Sequence, residues 1–375
     1  MKFFFLAGEP SGDARAAEVM KALQVQRPEA EFHGLGGPLM HQIGGEEIIN
    51  WTDRAAVIGI IDVLKNYSFF KSHLDAAAQR VIALRPDAVV LIDYPGFNLR
   101  LAKALRDNDA TLRIIYYISP QVWAWHRSRI PKMAKMLNLM ICIFPFEKPL
   151  YEQSGLKTVF VGHPMADTLG TPDPTIPRED TLIGLFPGSR KREVKKIFPV
   201  MLETAVLMLQ THPNLRFAAS ASSEAMGERM HGILENNPNF VCDIRVGNSQ
   251  DLMRRCNAAM ITSGTATLEA AFLRLPYAIL YKAAWLTFFL GRKIVKIDFL
   301  GMVNILASRE IVPEFLQENA LPQLIAPTML RLVDDMDYRN TQLKETGAVL
   351  DQLGGPGAGK RTAEAILREL EGAPG

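Results

Sequence analysis

A carboxylate follows the most apolar run of the sequence, Ala88–Ile92, whose β-branched residues predict a buried strand. Asp93 stands directly after this run and opens the segment Asp93-Tyr94-Pro95-Gly96-Phe97-Asn98. A partly buried carboxylate in such a place can have a raised pKa and act as a general base toward a hydroxyl group. The alternative is that Asp93 only caps the helix that begins near Phe97. We take Asp93 as the candidate catalytic base.

A polar turn at residues 8–13, Gly8-Glu9-Pro10-Ser11-Gly12-Asp13, joins a predicted strand to a predicted helix. Backbone N–H groups and the helix dipole at such a junction can receive an anion or sugar hydroxyls, and we expect Ser11 or Asp13 to cap the helix. The spacing is not the dinucleotide pattern G-x-G-x-x-G, so a turn without a ligand is an equal alternative. The candidate substrate-binding residues here are Glu9, Ser11 and Gly12.

The segment Pro187-Gly188-Ser189-Arg190 repeats this arrangement after the first predicted strand of the second half of the chain. A diphosphate binds at this position in open α/β sheets, and Arg190 could neutralise the charge of a leaving group without a metal ion. Ser189 and Arg190 are therefore candidate ligands. The cations at positions 191, 192, 195 and 196 fit a solvated helix face.

Residues 262–269, Thr262-Ser263-Gly264-Thr265-Ala266-Thr267-Leu268-Glu269, predict a strand end, a tight turn and the start of a helix. Backbone donors at Ser263, Gly264 and Thr265 can hold phosphate. Glu269 lies less than two helical turns further on, where it can accept both hydroxyls of a ribose. The alternative is that Glu269 only complements the positive end of the helix dipole.

Three other motifs predict structure rather than chemistry. Residues 354–361, Gly354-Gly355-Pro356-Gly357-Ala358-Gly359-Lys360-Arg361, resemble a phosphate-binding P-loop, but Arg361 replaces the Ser or Thr and no strand precedes them. Asp107-Asn108-Asp109 spells a D-x-D motif, yet it falls between a helix and a strand and predicts a turn. His163 ends the last strand of the first half, where contact with a ligand and a structural role are both open.

Residues 285–296 combine apolar and basic side chains. Their helical pattern is apolar on all sides around Trp285, Phe288 and Phe289, and cations including Arg292 and Lys293 follow. Such a helix is either buried in a core or inserted in an interface, where the basic residues would suit anionic headgroups. We keep both alternatives and take these five residues as candidate membrane or acyl-chain contacts.

Composition excludes several classes of protein. The chain has 375 residues, a net charge of +2 and 48% hydrophobic residues, which argues against disorder and against bulk attraction to nucleic acid. Its three cysteines, Cys142, Cys242 and Cys256, have neither disulfide-framework nor zinc-site spacing. No apolar run reaches the 18 or so residues of a membrane span, and the N-terminal run is too short for a signal peptide. We expect a reduced, cytoplasmic protein without a metal site.

Short β-branched and aromatic runs alternate with helical patterns along the whole chain, which is typical of βαβ units and parallel sheets. Three prolines between Thr171 and Pro177 interrupt both patterns and indicate a linker. We predict an N-terminal domain at 1–170, a linker at 171–180, a C-terminal domain at 181–340 and a helical tail at 341–375. The fold class is α/β, with two Rossmann-like domains whose parallel sheets face a cleft.

The predicted strands are listed here in chain order: Lys2–Ala7, 31–35, 88–93, 113–118, 139–144, 158–161, 181–186, 215–220, 240–246, 258–262 and Tyr277–Tyr281. The last predicted helix, near residues 361–370, is amphipathic and therefore needs a surface to cover. We expect it to return to the N-terminal domain, either that of its own chain or that of a partner in a homodimer.

Taken together, eight segments in this order closely resemble the lipid-A-disaccharide synthase family, bacterial glycosyltransferases of the GT-B fold (family 19). The segments are Gly8–Asp13, Asp93–Asn98, Tyr117–Trp125, Phe144–Glu147, Gly162–Pro164, Pro187–Arg190, Ser263–Glu269 and Asn304. Each is weak alone, but the ordered set is specific and runs through nearly the whole chain. The family usually has Leu-Pro-Asn where this chain has Met302-Val303-Asn304.

The resemblance implies an inverting hexosyltransferase that needs neither a metal nor a cofactor. It would join UDP-2,3-diacylglucosamine to the 6-hydroxyl of 2,3-diacylglucosamine 1-phosphate and release UDP. By resemblance, Asp93 is the base, Arg190 and Asn304 contact the UDP diphosphate and donor, residues 263–269 cradle the nucleotide, and Glu9 and Ser11 lie near the sugars. It also implies peripheral association with the cytoplasmic face of the inner membrane, and no nucleic acid as partner.

Two other classes of function remain open from the sequence. Another GT-B enzyme, such as a UDP-GlcNAc 2-epimerase or an undecaprenyl-linked GlcNAc transferase, would share the two domains and the UDP site. A two-domain solute-binding protein would close on a sugar without chemistry, but a carboxylate and a cation at strand ends favour turnover.

Overall fold

The structure, a computed structural model, describes residues 1–52, 67–125, 127–170, 177–236, 240–282 and 298–372. The chain forms two units. Unit 1 comprises Met1–Asp167 together with Leu353–Gly375, and unit 2 comprises Thr168–Gln352. Both are parallel α/β structures, and the cleft expected between them stays a prediction.

Unit 1 contains a seven-stranded parallel sheet in the described part of the chain, with the order β3-β2-β1-β4-β5-β6-β7. Its strands are β1 Lys2–Ala7, β2 Glu31–Gly36, β3 Ile48–Asn50, β4 Ala88–Ile92, β5 Ile114–Tyr117, β6 Leu139–Cys142 and β7 Thr158–Phe160. The central strands β1 and β4 pair in register, with Phe5 opposite Val90 and Ala7 opposite Ile92. Both are apolar along their length because helices cover both faces of the sheet.

The helices of unit 1 connect these strands. In the described residues they are α1 Pro10–Gln26, α2 Pro38–Gly44, α3 Tyr67–Leu84, α4 Pro95–Asn108, α5 Val122–Trp125, α6 Ile130–Met136, α7 Glu147–Glu152 and, at the boundary with unit 2, α8 Met165–Leu169. Proline stands at the start of α1, α2 and α4, where its missing N–H costs no helical hydrogen bond.

Unit 2 contains a six-stranded parallel sheet within the described ranges, with the order β10-β9-β8-β11-β12-β13. Its strands are β8 Glu179–Phe186, β9 Arg216–Ala221, β10 Cys242–Val246, β11 Cys256–Thr262, β12 Tyr277–Tyr281 and β13 Glu314–Leu316. All seven residues of β11 are buried because this strand lies between two neighbours at the middle of the sheet.

The helices of unit 2 surround its sheet. The structure describes α9 Lys191–Thr211, α10 Glu224–Leu234, α11 Ser249–Arg255, α12 Thr265–Phe272, α13 Met302–Ala307, α14 Pro322–Asp334 and α15 Met336–Asp351. Helix α9 packs along α14, and their buried faces share one apolar core with the strands. No helix in the described ranges of either unit is long and apolar enough to cross a membrane.

The C-terminal segment crosses from unit 2 to unit 1. Of the predicted tail 341–375, the residues before Leu353 belong to unit 2, so the boundary lies at Leu353 rather than at 341. The last helix, α16 Ala358–Leu370, packs against α1 of the same chain. Similarly, β8 begins at Glu179, inside the predicted linker 171–180, of which residues 171–176 lie outside the described residues.

The P-loop-like segment is part of this crossing. The Arg361 guanidinium donates to the carbonyl oxygens of Gly355 and Pro356, each at 2.7 Å, and to that of Val161 at 2.6 Å. The Asp167 carboxylate accepts the backbone N–H groups of Gly357 and Ala358 at the start of α16. The Arg361 guanidinium and the first two N–H groups at the start of α16 are therefore already used by the protein, which supports the structural interpretation.

Candidate active site

The carboxyl ends of β1 and β4 lie side by side in unit 1, and their loops carry the predicted catalytic carboxylate. Asp93 and Tyr94 follow β4 with φ angles of 45° and 47°, so two successive residues that are not glycine adopt the left-handed conformation. This turn reverses the chain sharply into α4. The Asp93 side chain is consequently left at the edge of the sheet, which is where ligands of parallel sheets bind.

Asp93 does not cap α4. The N-cap of that helix is Tyr94, and it makes no side-chain capping bond. The turn is held through the backbone of Asp93, whose N–H donates to the carbonyl oxygen of Tyr117 at 2.9 Å. Because Asp93 does not cap the helix, its carboxylate remains a candidate for contact with a substrate hydroxyl.

The surroundings of Asp93 favour its neutral form. Burial and, to a smaller extent, the negative charge of Glu9 raise the pKa of this carboxyl from the ordinary 3.8 to about 6, while the N–H of Tyr94 opposes the change. Glu9 is therefore close enough to Asp93 to act on its charge. A carboxylate with a pKa near 6 is ionised at neutral pH and accepts a proton more readily than an ordinary aspartate.

Aromatic rings pack beside this carboxylate. Tyr94 lies in edge-on contact with Trp51, with ring centroids 6.1 Å apart, and Phe97 lies 5.0 Å from Trp51. A β-carbon at Gly8 would lie 2.2 Å from the Tyr94 ring, so only glycine fits there. The first glycine of the motif at residues 8–13 thus makes room for Tyr94.

The other residues of that motif divide between the surface and the core. Glu9 and Ser11 are exposed at the start of α1, where they can meet a ligand. Gly12 is buried, and a β-carbon there would make only an ordinary contact, 3.4 Å from the Cβ of Ala7, so the packing of α1 on the sheet does not by itself require glycine at this position.

The expected capping of α1 by Ser11 or Asp13 is wrong. The N-cap of α1 is Glu9, without a side-chain capping bond. The buried Asp13 carboxylate instead accepts three backbone N–H groups at the start of α2, those of Gly37, Leu39 and Met40, at 2.8–3.0 Å. It thereby joins two helix starts at the carboxyl edge of the sheet.

Another buried carboxylate, that of Glu147, lies at the start of α7, after β6. It accepts the Ser119 hydroxyl, the indole N–H of Trp123 at 3.1 Å and the backbone N–H of Phe144 at 3.2 Å. Burial raises its pKa from 4.5 to about 7 despite these three donors. Glu147 was quoted in the resemblance without a role, and its contacts show that it ties the segments after β5 and β6 together.

In unit 2, the Ser189 and Arg190 motif follows β8 as predicted. Both residues are exposed, and Arg190 is the N-cap of α9. Its guanidinium lies 2.9 Å from the Glu193 carboxylate while 82% of the side chain remains exposed. An exposed ion pair of this kind contributes little stability, so Arg190 can exchange Glu193 for a phosphate at small cost.

The Ser263-Gly264-Thr265 turn follows β11, next to β8 in the sheet. Gly264 and Thr265 are exposed, whereas the Ser263 hydroxyl donates to the carbonyl oxygen of Leu300 at 3.3 Å. Glu269 is half-buried, and burial raises its pKa. It is the fifth residue of α12, beyond the first turn where a helix dipole acts strongly, which favours the ribose role over the dipole alternative.

Asn304 has a different place from the one that the resemblance implies. Its amide nitrogen donates to the carbonyl oxygen of Val312 at 2.7 Å and to the Glu314 carboxylate at 2.8 Å, and its oxygen accepts the N–H groups of Ile311 and Val312. All four hydrogen-bonding positions of this fully buried amide are thus occupied. Asn304 therefore shapes unit 2, and a direct contact with the donor would require it to give up these bonds.

The remaining candidate residues are two that have structural roles and five that the structure does not describe. His163 is buried, and burial and the charge of Arg15 lower its pKa to about 4. Its backbone N–H donates to the carbonyl oxygen of Leu353, which supports the structural interpretation. Asp109 ends α4 and accepts the hydroxyl and N–H of Thr111, which confirms a turn. The candidate membrane contacts Trp285, Phe288, Phe289, Arg292 and Lys293 all lie outside the described residues.

No group of three or more His, Cys, Asp or Glu side chains in the described ranges is placed to hold a metal ion. Metal independence stays a prediction.

Comparisons with known proteins identify the family of the chain. The sequence model of one family, described as lipid-A-disaccharide synthetase, matches residues 3–365. A lipid-A-disaccharide synthase from Trichlorobacter lovleyi is 37% identical over 99% of this chain and 98% of its own. That from Geobacter sulfurreducens is 34% identical over 98% and 97%, and that from Coxiella burnetii is 32% identical over 96% of both chains.

Solved structures share the fold at low sequence identity. A UDP-GlcNAc 2-epimerase from Neisseria meningitidis, bound to UDP-GlcNAc, matches with a TM-score of 0.66 and 12% identity over 98% of this chain and all of its own. MurG from Acinetobacter baumannii matches with a TM-score of 0.58 and 14% identity over 98% and 99%. These matches confirm the GT-B fold class.

Proposed function

The chain belongs to the lipid-A-disaccharide synthetase family, and we propose that it transfers 2,3-diacylglucosamine from UDP to the 6-hydroxyl of 2,3-diacylglucosamine 1-phosphate. The products are a β-1,6-linked disaccharide 1-phosphate and UDP. The relatives, which match over nearly their full length, are named for this synthesis, and their names favour it over the alternatives of epimerisation and of transfer to an undecaprenyl carrier.

The observation that carries the mechanism is the carboxylate of Asp93 at the end of β4, with its pKa raised to about 6. As the acceptor's 6-oxygen attacks the anomeric carbon of the donor, its proton passes to Asp93. The bond between that carbon and the diphosphate oxygen breaks, and its electron pair leaves with UDP. A single displacement inverts the anomeric centre, through a transition state like that of glycoside hydrolysis.

Unit 2 supplies the groups that suit the leaving nucleotide. In this proposal Arg190 and Ser189, which are exposed, receive the diphosphate, whose negative charge grows as the bond breaks. The exposed backbone at Gly264 and Thr265 offers further donors, and the half-buried Glu269 carboxylate suits ribose hydroxyls. In this assignment Ser263 and Asn304 hold the surrounding loops rather than the nucleotide.

The experiment that tests this function is the identification of the product. Purified protein is incubated with both diacylated substrates in detergent, and the new lipid is examined by mass spectrometry and NMR. A disaccharide 1-phosphate with a β-1,6 bond supports the proposal. Recovery of an epimerised UDP-sugar, or of a product with the α configuration, would refute it.

We also propose that the protein works at the cytoplasmic face of the inner membrane, because both substrates carry acyl chains. The segment that includes Trp285, Phe288 and Phe289, with Arg292 and Lys293 after it, has the composition of an interfacial helix. Flotation with anionic liposomes tests this. Replacing the three aromatic residues by serine should reduce flotation of a still-folded protein, and unchanged flotation would overturn the assignment.

A further inference from the structure

The left-handed turn at Asp93 and Tyr94 needs a cause in the surrounding structure. A positive φ is sterically unfavourable for residues with a β-carbon. Here two such residues in succession have a positive φ. Such a conformation persists only where other contacts determine it, and it is often found at functional sites. Here the contacts at the carbonyl group of Asp93 hold the turn in this conformation.

Two side chains donate to the carbonyl oxygen of Asp93. The amide nitrogen of Asn98 lies 2.8 Å from it, and the hydroxyl of Tyr116 lies 2.5 Å from it. The second hydrogen of the Asn98 amide points to the carbonyl oxygen of Ile92 at 3.1 Å. Asn98 therefore bridges the last residue of β4 and the first residue of the turn.

Because Asn98 is buried, we attribute its presence to the two hydrogen bonds that its side-chain amide donates to the turn. The side chain is fully buried, and among the described residues its Oδ1 has no hydrogen-bond partner. A buried acceptor without a partner costs free energy. The amide orientation is nevertheless fixed, because turning it over would place Oδ1 against two carbonyl oxygens. Apolar side chains would avoid this cost but could not hold the turn.

We propose that Asn98 and Tyr116 are positioning residues for the glycosyl transfer, which hold the backbone of Asp93 so that its carboxylate faces the acceptor hydroxyl. This rests on the proposed role of Asp93 as the base. Neither residue touches substrate in this assignment. Their loss therefore lowers kcat, because the base leaves its productive geometry, and leaves the KM of both lipids nearly unchanged.

A pair of adjacent tyrosines provides the matched experiment. Tyr116→Phe removes only the hydroxyl that reaches Asp93. Tyr117→Phe removes a hydroxyl from an equally buried tyrosine on the same strand, but successive side chains point to opposite faces of a sheet. The groups that act on the Tyr117 hydroxyl are Thr362, Glu18, Arg15 and Asp167, and Asp93 is not among them. We expect Tyr116→Phe to lower kcat about tenfold and Tyr117→Phe to leave it within about twofold.

A double-mutant cycle tests the role of the turn itself. Glycine adopts positive φ readily, so Tyr94→Gly reduces the need for the Asn98 bridge. We expect Asn98→Ala to lower kcat by about tenfold or more in the wild type, and by a clearly smaller factor in the Tyr94→Gly background. Equal factors in both backgrounds would mean that Asn98 acts only on general stability. Tyr116→Phe covers the case in which Asn98→Ala does not fold.

The pH profile separates positioning from folding. Asp93 is faced by Glu9 from the β1–α1 turn, by Tyr94 on its own segment and by Tyr116 from β5. When either of the two donors to the carbonyl oxygen of Asp93 is lost, the carboxylate turns toward water. The acid limb of kcat/KM should then move from near pH 6 toward the ordinary aspartate value in Tyr116→Phe and stay in place in Tyr117→Phe.

Asp93→Asn is measured alongside these variants. If it keeps normal kcat, the proposed base fails, and the positioning role fails with it. If Asp93→Asn is impaired while Tyr116→Phe matches Tyr117→Phe in kcat and pH profile, the base stands and only the positioning role is overturned.

Discussion

Asp93 acquires its basicity from neighbours that are distant in sequence. Burial at the sheet edge contributes most of the rise in its pKa, and the negative charge of Glu9, from the loop after β1, adds to it. The sequence could place a carboxylate after a buried strand, because apolar runs and their ends are visible in it. It could not show the left-handed turn, since neither Asp93 nor Tyr94 is a residue that demands positive φ.

At the residue scale, the first prediction concerns Asp93→Asn. Asparagine keeps the shape and removes the basic group, so kcat should fall by about 10²–10⁴ with KM nearly retained. In the wild type, kcat should fall as pH decreases below about 6, because the raised pKa of Asp93 means that protonation begins there. The variant should lack this acid limb. Asp107→Asn, an exposed change at the other end of α4, is the control. Near-normal kcat in Asp93→Asn would contradict the assignment.

The second residue-scale prediction concerns Glu147→Gln. The pKa of Glu147 is raised to about 7 in the folded protein against 4.5 for a free side chain, so the folded state binds the proton more tightly. The stabilisation is complete below pH 4.5 and is lost as pH rises through about 7. Two and a half pKa units correspond to about 3 kcal/mol. Glu147→Gln should remove most of this pH dependence between pH 5 and pH 8.

Denaturant unfolding followed by tryptophan fluorescence measures this effect, because three of the four tryptophans, Trp51, Trp123 and Trp125, belong to the sequence range of unit 1. Glu152→Gln, an exposed change on the same helix, is the control. A variant at Glu147 that keeps the full wild-type pH dependence would show that another group is responsible.

At the element scale, the longer strands could be predicted, whereas among the three-residue edge strands of the described residues only Thr158–Phe160 was predicted. Lys2–Ala7 and Tyr277–Tyr281 were predicted with their observed bounds, because continuous apolar runs identify strands buried on both faces. Ile48–Asn50 and Glu314–Leu316 were missed, since three residues are too few to show a period. The capping of α2 by Asp13 was also hidden, because its partners lie 24 to 27 residues away.

Asn304 gives the prediction at this scale. It links α13 to the segment before β13, so Asn304→Ala should leave buried N–H and carbonyl groups without partners and destabilise unit 2 by about 3 kcal/mol. Thermal unfolding measures the loss, with the exposed Asn319→Ala as control. A stable Asn304→Ala variant whose only change is a higher KM for the UDP-sugar would instead restore the contact that the resemblance implies.

At the scale of the whole molecule, the C-terminal segment completes unit 1 although it follows unit 2 in sequence. Its amphipathic pattern predicted a returning helix, and α16 packs on α1 of its own chain. The sequence could not show how the segment is fixed, because the partners of Arg361 are backbone carbonyl groups as far back as Val161.

The whole-molecule prediction is therefore that Arg361→Ala loosens α16 from unit 1. Three hydrogen bonds from a partly buried guanidinium are lost, so α16 and α1 should exchange their amide hydrogens faster than in the wild type, while α9 and β11 of unit 2 keep their rates. Lys360→Ala, an exposed neighbour on the same helix, should leave all rates unchanged. Equal rates of amide hydrogen exchange in α16 of both variants would contradict the role of Arg361 in holding α16 on unit 1.

The central claim is that this chain joins two diacylated glucosamines and, in the same step, breaks the bond between the donor sugar and UDP. The most direct measurement is UDP release from UDP-2,3-diacylglucosamine in detergent and EDTA, with and without 2,3-diacylglucosamine 1-phosphate. The account predicts rapid release only when both lipids are present. Release that is independent of the acceptor, or no release with both lipids, would contradict it.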